Sequence, residues 1–297
     1  MVRLLIFLVV FAASLAAQDR EPAKGVVFCT YNLRNWVGDD QRSQKGQPAK
    51  PKSDAEKDAV IRVIRDVQPD ILGICEMGSP AQFEDFLARV KPLGLVHSEY
   101  VEAADPDRHL ALVSRFPISS RNSLSDIRYM LGGVEQQMRR GILDVTIQVT
   151  PAYQLRCVGV HLKSKLPSAE GEALVRRHES AKLRAHLDEI LKAAPSTNLL
   201  CYGDFNDTRD TPVFTEVSGN REGPAFLEAV LATDESGDRW THYWPEADQY
   251  SRIDFIFASK GIIPEIVRDS GRVNRSPFWK TASDHRAVSV TLLPADR

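Results

Sequence analysis

The chain is poor in several features that would mark a specific chemistry. It has four cysteines in 297 residues, at Cys29, Cys75, Cys157 and Cys201, with no CxxC pair, so a thiolate zinc site is not expected. Each lies inside an apolar run, where cysteine serves as a small buried hydrophobe, and free thiols are expected. No Ser or Cys stands beside a base in a nucleophile arrangement, which argues against a covalent enzyme intermediate. There is no basic excess: 38 Lys and Arg face 40 Asp and Glu, a formal charge of -2. That excludes a nucleic-acid footprint spread over the whole surface, while leaving room for a basic cleft. No repeat of fixed period is present, and the only biased segment, the polar run from Asp39 to Lys52, reads as an exposed loop.

The one long apolar run is at the start. Arg3 precedes an apolar stretch from Leu4 to Leu15, and Ser14-Leu15-Ala16-Ala17-Gln18 offers small residues around a cut after Ala16 or Ala17. A signal peptide over residues 1–17 is expected, hence a secreted or periplasmic protein with no transmembrane anchor after processing. A single domain is expected over residues 24–294, since apolar, charged and turn residues are spread evenly and 43% hydrophobic content supports a sizeable core.

Helix and strand signals alternate. Ser53 with Glu56 forms a capping box ahead of Val60, Val63, Ile64 and Val67, and Pro69 closes that helix. Ser79-Pro80 opens a second helix with Phe83, Phe86, Leu87 and Val90 on one face. A third, from about Ala169 to Lys192, carries Leu183, Leu187, Ile190 and Leu191, with His178 and His186 eight apart in an exposed stripe. Strands are expected at 26–31, 71–75, 110–114, 142–149, 155–160, 198–203, 253–258 and 287–293. Many are continuous apolar runs, which implies strands covered on both faces.

Polar groups punctuate the ends of these runs: Asn32 in CTYNLR, Glu76 in ILGICEMG, His161 in VGVHLKSK, Asp204 and Asn206 in CYGDFND, Asp254 in RIDFIFAS, and Asp284-His285 in SDHRAVSV. A polar group ending a buried strand must reach solvent or face other polar groups. Several such ends meeting at one edge would make an active site.

In that order these segments resemble the motif set of the endonuclease/exonuclease/phosphatase superfamily, the metal-dependent phosphoesterases that include pancreatic-type deoxyribonuclease, over about Val26 to Leu293. The resemblance implies an α/β, four-layer sandwich of two mixed β-sheets packed face to face with flanking helices, and one metal-containing cleft at an edge. Together with the leader, it implies an exported, divalent-metal-dependent phosphodiester hydrolase, an endonuclease or exonuclease with nucleic acid as substrate. The alternative is a phospholipid, sphingomyelin-like or phosphomonoester substrate on the same machinery. No stable protein partner is inferred. A non-catalytic binding module would be expected to lack a metal or water-handling residue, and none is missing; a glycosidase would not need Asn206, His161 and the lysines together.

Within that resemblance Glu76 is the lead metal ligand, a hard oxygen donor suited to Mg²⁺, with Mn²⁺ possible, and Asn32 and Asp284 help place the ion. Asp204 and Asn206, two apart, leave an extended segment on the same face, so Asp204 is expected to hold or deprotonate water while Asn206 donates to a phosphoryl oxygen. His161 and His285 are expected as cationic donors, with Asp254 orienting His285. Whether Asp204 or His285 is the base stays open. Lys163, Lys165 and Arg140 are candidate phosphate anchors, Arg140 by its match to a family arginine. The segments 34–52, 126–139 and 240–251 would shape the substrate pocket, and Trp240, Tyr243 and Trp244 would stack on a base, line a lipid pocket or pack over a core edge.

Overall fold

The computed structural model describes residues 25–38 and 50–295. The expected leader over 1–17 and most of the polar run after Asp39 lie outside the described residues. In chain order the strands are Val26–Trp36 (β1), Ile71–Met77 (β2), His97–Val101 (β3), His109–Ser114 (β4), Ile118–Arg121 (β5), Arg128–Leu131 (β6), Val134–Gln137 (β7), Leu143–Thr150 (β8), Tyr153–His161 (β9), Leu199–Asp204 (β10), Leu227–Ala229 (β11), His242–Trp244 (β12), Gln249–Ser251 (β13), Asp254–Ser259 (β14), Arg272–Val273 (β15) and Val288–Leu292 (β16). The α-helices are Asp54–Val67 (α1), Pro80–Val90 (α2), Glu172–Ala193 (α3), Pro212–Ser218 (α4) and Trp279–Ala282 (α5).

Two six-stranded sheets form, in the orders β15-β16-β1-β2-β4-β3 and β11-β14-β10-β9-β8-β5. Both are mixed: β1 runs parallel to β2 and antiparallel to β16, and β10 runs parallel to β9 and antiparallel to β14. Phe28, Ile71 and Leu112 of the first sheet meet Val145, Leu155, Leu200 and Ile256 of the second in one core. The alternate residues face outward. Cys29, Leu72 and Ala111 pack with Val60, Ile64 and Phe86 of α1 and α2, while Val158, Cys201 and Phe257 pack with Leu183, Leu187 and Leu191 of α3. The result is the expected α/β/β/α sandwich. Both faces of each central strand are dry, which is why the sequence shows unbroken apolar runs instead of alternation.

Tyr202 shows how closely the sheets approach. A Cβ on Gly73 would lie 1.9 Å from the Tyr202 ring, and one on Gly159 would lie 2.6 Å from its hydroxyl oxygen, so both glycines make room for that side chain. All four cysteines are buried free thiols.

The helices start where the sequence indicates. The Ser53–Glu56 capping box is formed in both directions, and five residues of α1, Ala59 to Ile61 with Val63 and Ile64, are buried. Each fully buried Val or Ile contributes roughly 1.5–3 kcal/mol. The left-handed Gln68 (φ 52°), ahead of Pro69, ends the helix. The His178 and His186 stripe is corrected: neither is exposed. His178 stacks on Tyr129 at 5.5 Å, and His186 Nε2 lies 2.8 Å from the fully buried carboxylate of Asp144, which Arg156 also grips. A fully buried carboxylate partner on β8 draws that histidine inward, and helical spacing alone does not show it.

Candidate active site

Strand direction brings the motif residues to one edge. In the second sheet Asp204 ends β10, with His161 opposite it on parallel β9 and Asp254 opposite it at the start of antiparallel β14. In the first sheet Asn32 lies in β1, Glu76 lies in β2, Asp284 and His285 lie just before β16, and Arg108 lies just before β4. Each sheet thus lends one row of polar residues. Asn32 Nδ2 joins the rows, donating to Glu76 Oε1 at 3.3 Å and to Asp204 Oδ2 at 3.1 Å.

The backbone is bent to make this possible. The β1–β2 register shifts between Asn32 and Trp36, where Arg34 and Asn35 are both left-handed (φ 50° and 57°). That bulge turns the Asn35 N–H onto Glu76 Oε2 at 2.9 Å. Glu76 is itself left-handed (φ 63°), an uncommon state for a carboxylate residue and one concentrated at functional sites. Ser283 ties the last motif in, donating to the Asn32 carbonyl at 2.8 Å and accepting from the His285 N–H at 3.0 Å.

Asn206 differs from the sequence expectation. The chain leaves β10 at Asp204, and Asn206 is left-handed (φ 51°) rather than extended. Its N–H caps Asp204 Oδ1 at 2.8 Å and its side-chain amide donates to the Leu162 carbonyl at 3.0 Å, so it braces the segment after His161.

The charges are strongly coupled. His285 Nδ1 sits 2.8 Å from Asp254 Oδ2 and its Nε2 3.7 Å from Asp204 Oδ2. Burial opposes charge on His285, but Asp254 and Asp204 outweigh it and raise its pKa well above the ordinary histidine value. His161 Nε2 lies 3.6 Å from Asp204 Oδ2 and 3.8 Å from Glu76 Oε1. Its pKa falls well below the ordinary value through burial and the positive charges of Arg140, Arg108 and His285. The two expected cationic donors therefore differ: the surroundings of His285 favour its charged form, and those of His161 disfavour it. Asp204, buried and facing Asp254, is pushed up to about 7.

The phosphate-anchor candidates separate. Lys163 Nζ is turned onto the carbonyls of Ser164 and Leu166 at 3.0 and 2.6 Å, so its ammonium is committed locally; burial and Arg140 lower its pKa. Lys165 is exposed. Arg140 is buried, its Nε 2.9 Å from Asp105 Oδ2, and its Nη1 is buried with no hydrogen-bond partner. A buried guanidinium nitrogen left open beside His161 is suited to an anionic ligand.

Four functional-looking residues escaped the sequence reading. Arg108 Nε stands 3.7 Å from Glu76 Oε2 and Arg34 Nε 3.6 Å from Asp284 Oδ2. Asp105, fully buried, accepts from the Asp107 and Arg108 N–H groups while pairing with Arg140. Glu179 of α3, also fully buried, accepts from the Lys163 N–H at 2.6 Å. The ring of His242, which no motif marks, lies 4.6 Å from that of His285.

A hard divalent cation fits this donor set. Glu76, Asp204, Asp254 and Asp284 crowd carboxylates together, and burial has pushed the Asp204 carboxyl up, a cost that a bound cation relieves. Donor atoms of Asp204, Asp254 and His285 lie within 4.8 Å of one another, but Asp254 and His285 are already hydrogen-bonded to each other. Glu76 Oε1 joins this cluster through Asn32, whose amide nitrogen faces Glu76 and Asp204 while its oxygen accepts from the Arg34 N–H at 2.9 Å.

Residues 29–285 match the Endonuclease/Exonuclease/phosphatase family. No curated protein sequence matches the chain. Among solved structures, the human Nocturnin catalytic domain with bound sulfate is similar at 17% identity and TM-score 0.63, over 90% of this chain and 93% of that one. An endonuclease/exonuclease/phosphatase from Beutenbergia cavernae is similar at 19% identity and TM-score 0.61, over 91% and 72%. Sphingomyelinase C from Streptomyces griseocarneus is similar at 14% identity and TM-score 0.60, over 90% and 99%.

Proposed function

Because the chain belongs to the endonuclease/exonuclease/phosphatase family, a family of hydrolytic phosphoesterases, we propose that it is a divalent-metal-dependent phosphodiester hydrolase acting on nucleic acid by direct attack of water. The observation that carries this reading is the Asn32 bridge from Glu76 to Asp204, with His161 and His285 both within 3.7 Å of Asp204 Oδ2.

A phosphodiester is anionic and resists hydrolysis, so catalysis needs positive charge, a placed water and relief for the leaving oxygen. Glu76 and Asp284 would hold Mg²⁺ or Mn²⁺, with the Asn32 amide bridging Glu76 to Asp204, and the ion supplies Lewis-acid neutralisation of the phosphoryl charge when bound. Asp204, with a pKa raised toward neutrality, takes the proton from water. His285, held charged by Asp254, stabilises the developing negative charge. Neutral His161 donates from Nε2 to a non-bridging oxygen, and Arg140 Nη1 takes another. Asn206 keeps the His161 segment in place. The four thiols cannot serve as nucleophiles, since all are buried and burial raises their pKa values. The N-terminal leader supports export to a secreted or periplasmic location, which N-terminal sequencing of protein recovered outside the cytoplasm tests by showing a cut after Ala16 or Ala17.

Hydrolysis of plasmid DNA, RNA and sphingomyelin vesicles, each with Mg²⁺ or chelator, tests the reading. Nucleic acid is expected to be cut, with loss in chelator and recovery on adding Mg²⁺. Turnover of sphingomyelin alone would move the substrate to lipid, and turnover in chelator would overturn the metal requirement.

A further inference from the structure

The cleft has two unlike ends. Following the strand orders, the row in each sheet runs from the β16/β14 side, with His285 and Asp254, through Asn32, Glu76, Asp204 and His161 to the β4/β8 side. Arg108, Arg139 and Arg140 cluster at that second side around the buried Asp105. At the first side stands the hairpin of β12 and β13, tied to the site by the Tyr243 N–H, which donates to the Asp284 carbonyl at 3.0 Å, and by the bridge from His242 to His285.

Strand alternation sorts the aromatic residues of that hairpin. Tyr243 pairs with Tyr250 across the strands, and the two rings stack at 4.5 Å. Tyr250 also meets Trp240, which packs on Trp279. These rings form one face and hold the hairpin in place. His242 and Trp244, two apart, lie on the other face, the one on which His242 packs against His285. Trp244 is 47% exposed, and among the described residues no ring packs on it.

We propose that Trp244 is a stacking platform for a base of a single-stranded nucleic acid whose chain runs on across the site, so that a phosphate further along is drawn to the Arg108–Arg139–Arg140 end. The inference rests on the nucleic-acid reading above and narrows it. A flat, exposed indole on the strand that bridges to His285 suits a π-face, which a single strand presents and a duplex keeps inside its stack. The turn of the hairpin, Pro245–Ala247 followed by Asp248, carries Glu246 and Asp248. Two carboxylates there make the turn ill-suited to enter the acyl layer of a bilayer, and they repel phosphates, which turns the polyanionic chain toward the arginine end.

The test is fluorescence anisotropy with Mg²⁺ present, using Asp204→Asn protein to prevent turnover. The ligands are a labelled 12-nucleotide single strand, the same strand made abasic one position at a time, and its duplex. The single strand is expected to bind at least about tenfold more tightly than the duplex. Adding Trp244→Ala is expected to weaken single-strand binding about 5- to 150-fold, the range for one aromatic–base stack, and Trp244→Phe to recover part of it. That penalty should vanish for the strand abasic at the stacked position. Equal binding of duplex and single strand, or an unaltered dissociation constant for Trp244→Ala, would overturn the platform while plasmid cleavage by the unaltered protein leaves the nuclease reading standing. If that protein cuts no nucleic acid and Trp244→Ala instead abolishes its sedimentation with sphingomyelin vesicles, both readings fall.

Discussion

Asp105→Asn isolates a single charge behind the cleft. The carboxylate is fully buried, and its Oδ2 lies 2.9 Å from Nε of Arg140, whose side chain is 4% exposed. Burial raises its pKa, but Arg140, the Asp107 N–H and Arg139 outweigh this and hold it below the ordinary carboxylate value. Asparagine keeps an oxygen for the Asp107 and Arg108 N–H groups, so the turn can persist while the counter-charge of Arg140 is lost. Removing one partner of a buried pair costs about 3–5 kcal/mol. Glu179, whose charge Arg140 also stabilises, compensates in part, which places the expected loss near the lower figure, about 3 kcal/mol. At about 2–4 °C per kcal/mol this lowers Tm by about 6–12 °C. Urea unfolding at pH 7 measures the loss, and kcat/KM should fall at least about tenfold as Arg140 loses its anchor. Asp105→Asn with Arg140→Met should recover stability relative to the single variant, since no unpaired charge stays buried. A loss under about 1 kcal/mol, or strictly additive effects in the cycle, would refute the reasoning.

Other outcomes follow from the same geometry. Asp204→Asn should lower kcat by at least about a thousandfold while leaving substrate affinity within about threefold, because shape is kept and proton affinity lost; single-turnover kinetics with a binding titration separate the two. Since the Asp204 pKa is raised to about 7 without metal and the base must be ionised, kcat/KM should fall as pH drops through a value at or below about 7, a bound cation moving it down. A profile flat from pH 5 to 8 would contradict that assignment. Gly73→Ala should destabilise by about 1–3 kcal/mol through overpacking against Tyr202, read by thermal melting, and an unchanged Tm would show that the ring can yield.

Much of the layout was legible because it rests on local chemistry. Apolar runs located eight strands of the two sheets, and the polar residues ending them proved to share one edge. Ser53 and Glu56 marked a helix start through hydrogen bonds only three residues apart. What stayed hidden depends on contacts distant in sequence or on exposed strands. The Asn32–Trp36 bulge and the left-handed Asn206 have no local signature that outweighs an extended reading. Asp105, in a loop with no motif, matters only because Arg140 folds onto it. The hairpin of β6 and β7 carried a signal in Gly132-Gly133, both at positive φ, but its strands are four residues each and largely exposed, so no apolar period marks them. His242 became informative only when β12 was seen to bridge to the motif that precedes β16.

The central claim is that the strand-end residues close around one divalent ion. Calorimetric titration of the metal-free protein with Mn²⁺, comparing it with Glu76→Gln, tests this most directly. One dominant site is expected in the parent, weakened at least about tenfold by the substitution, with the same Mn²⁺ shift in half-maximal hydrolysis. Binding unaltered by Glu76→Gln, or no binding at all, would contradict the account.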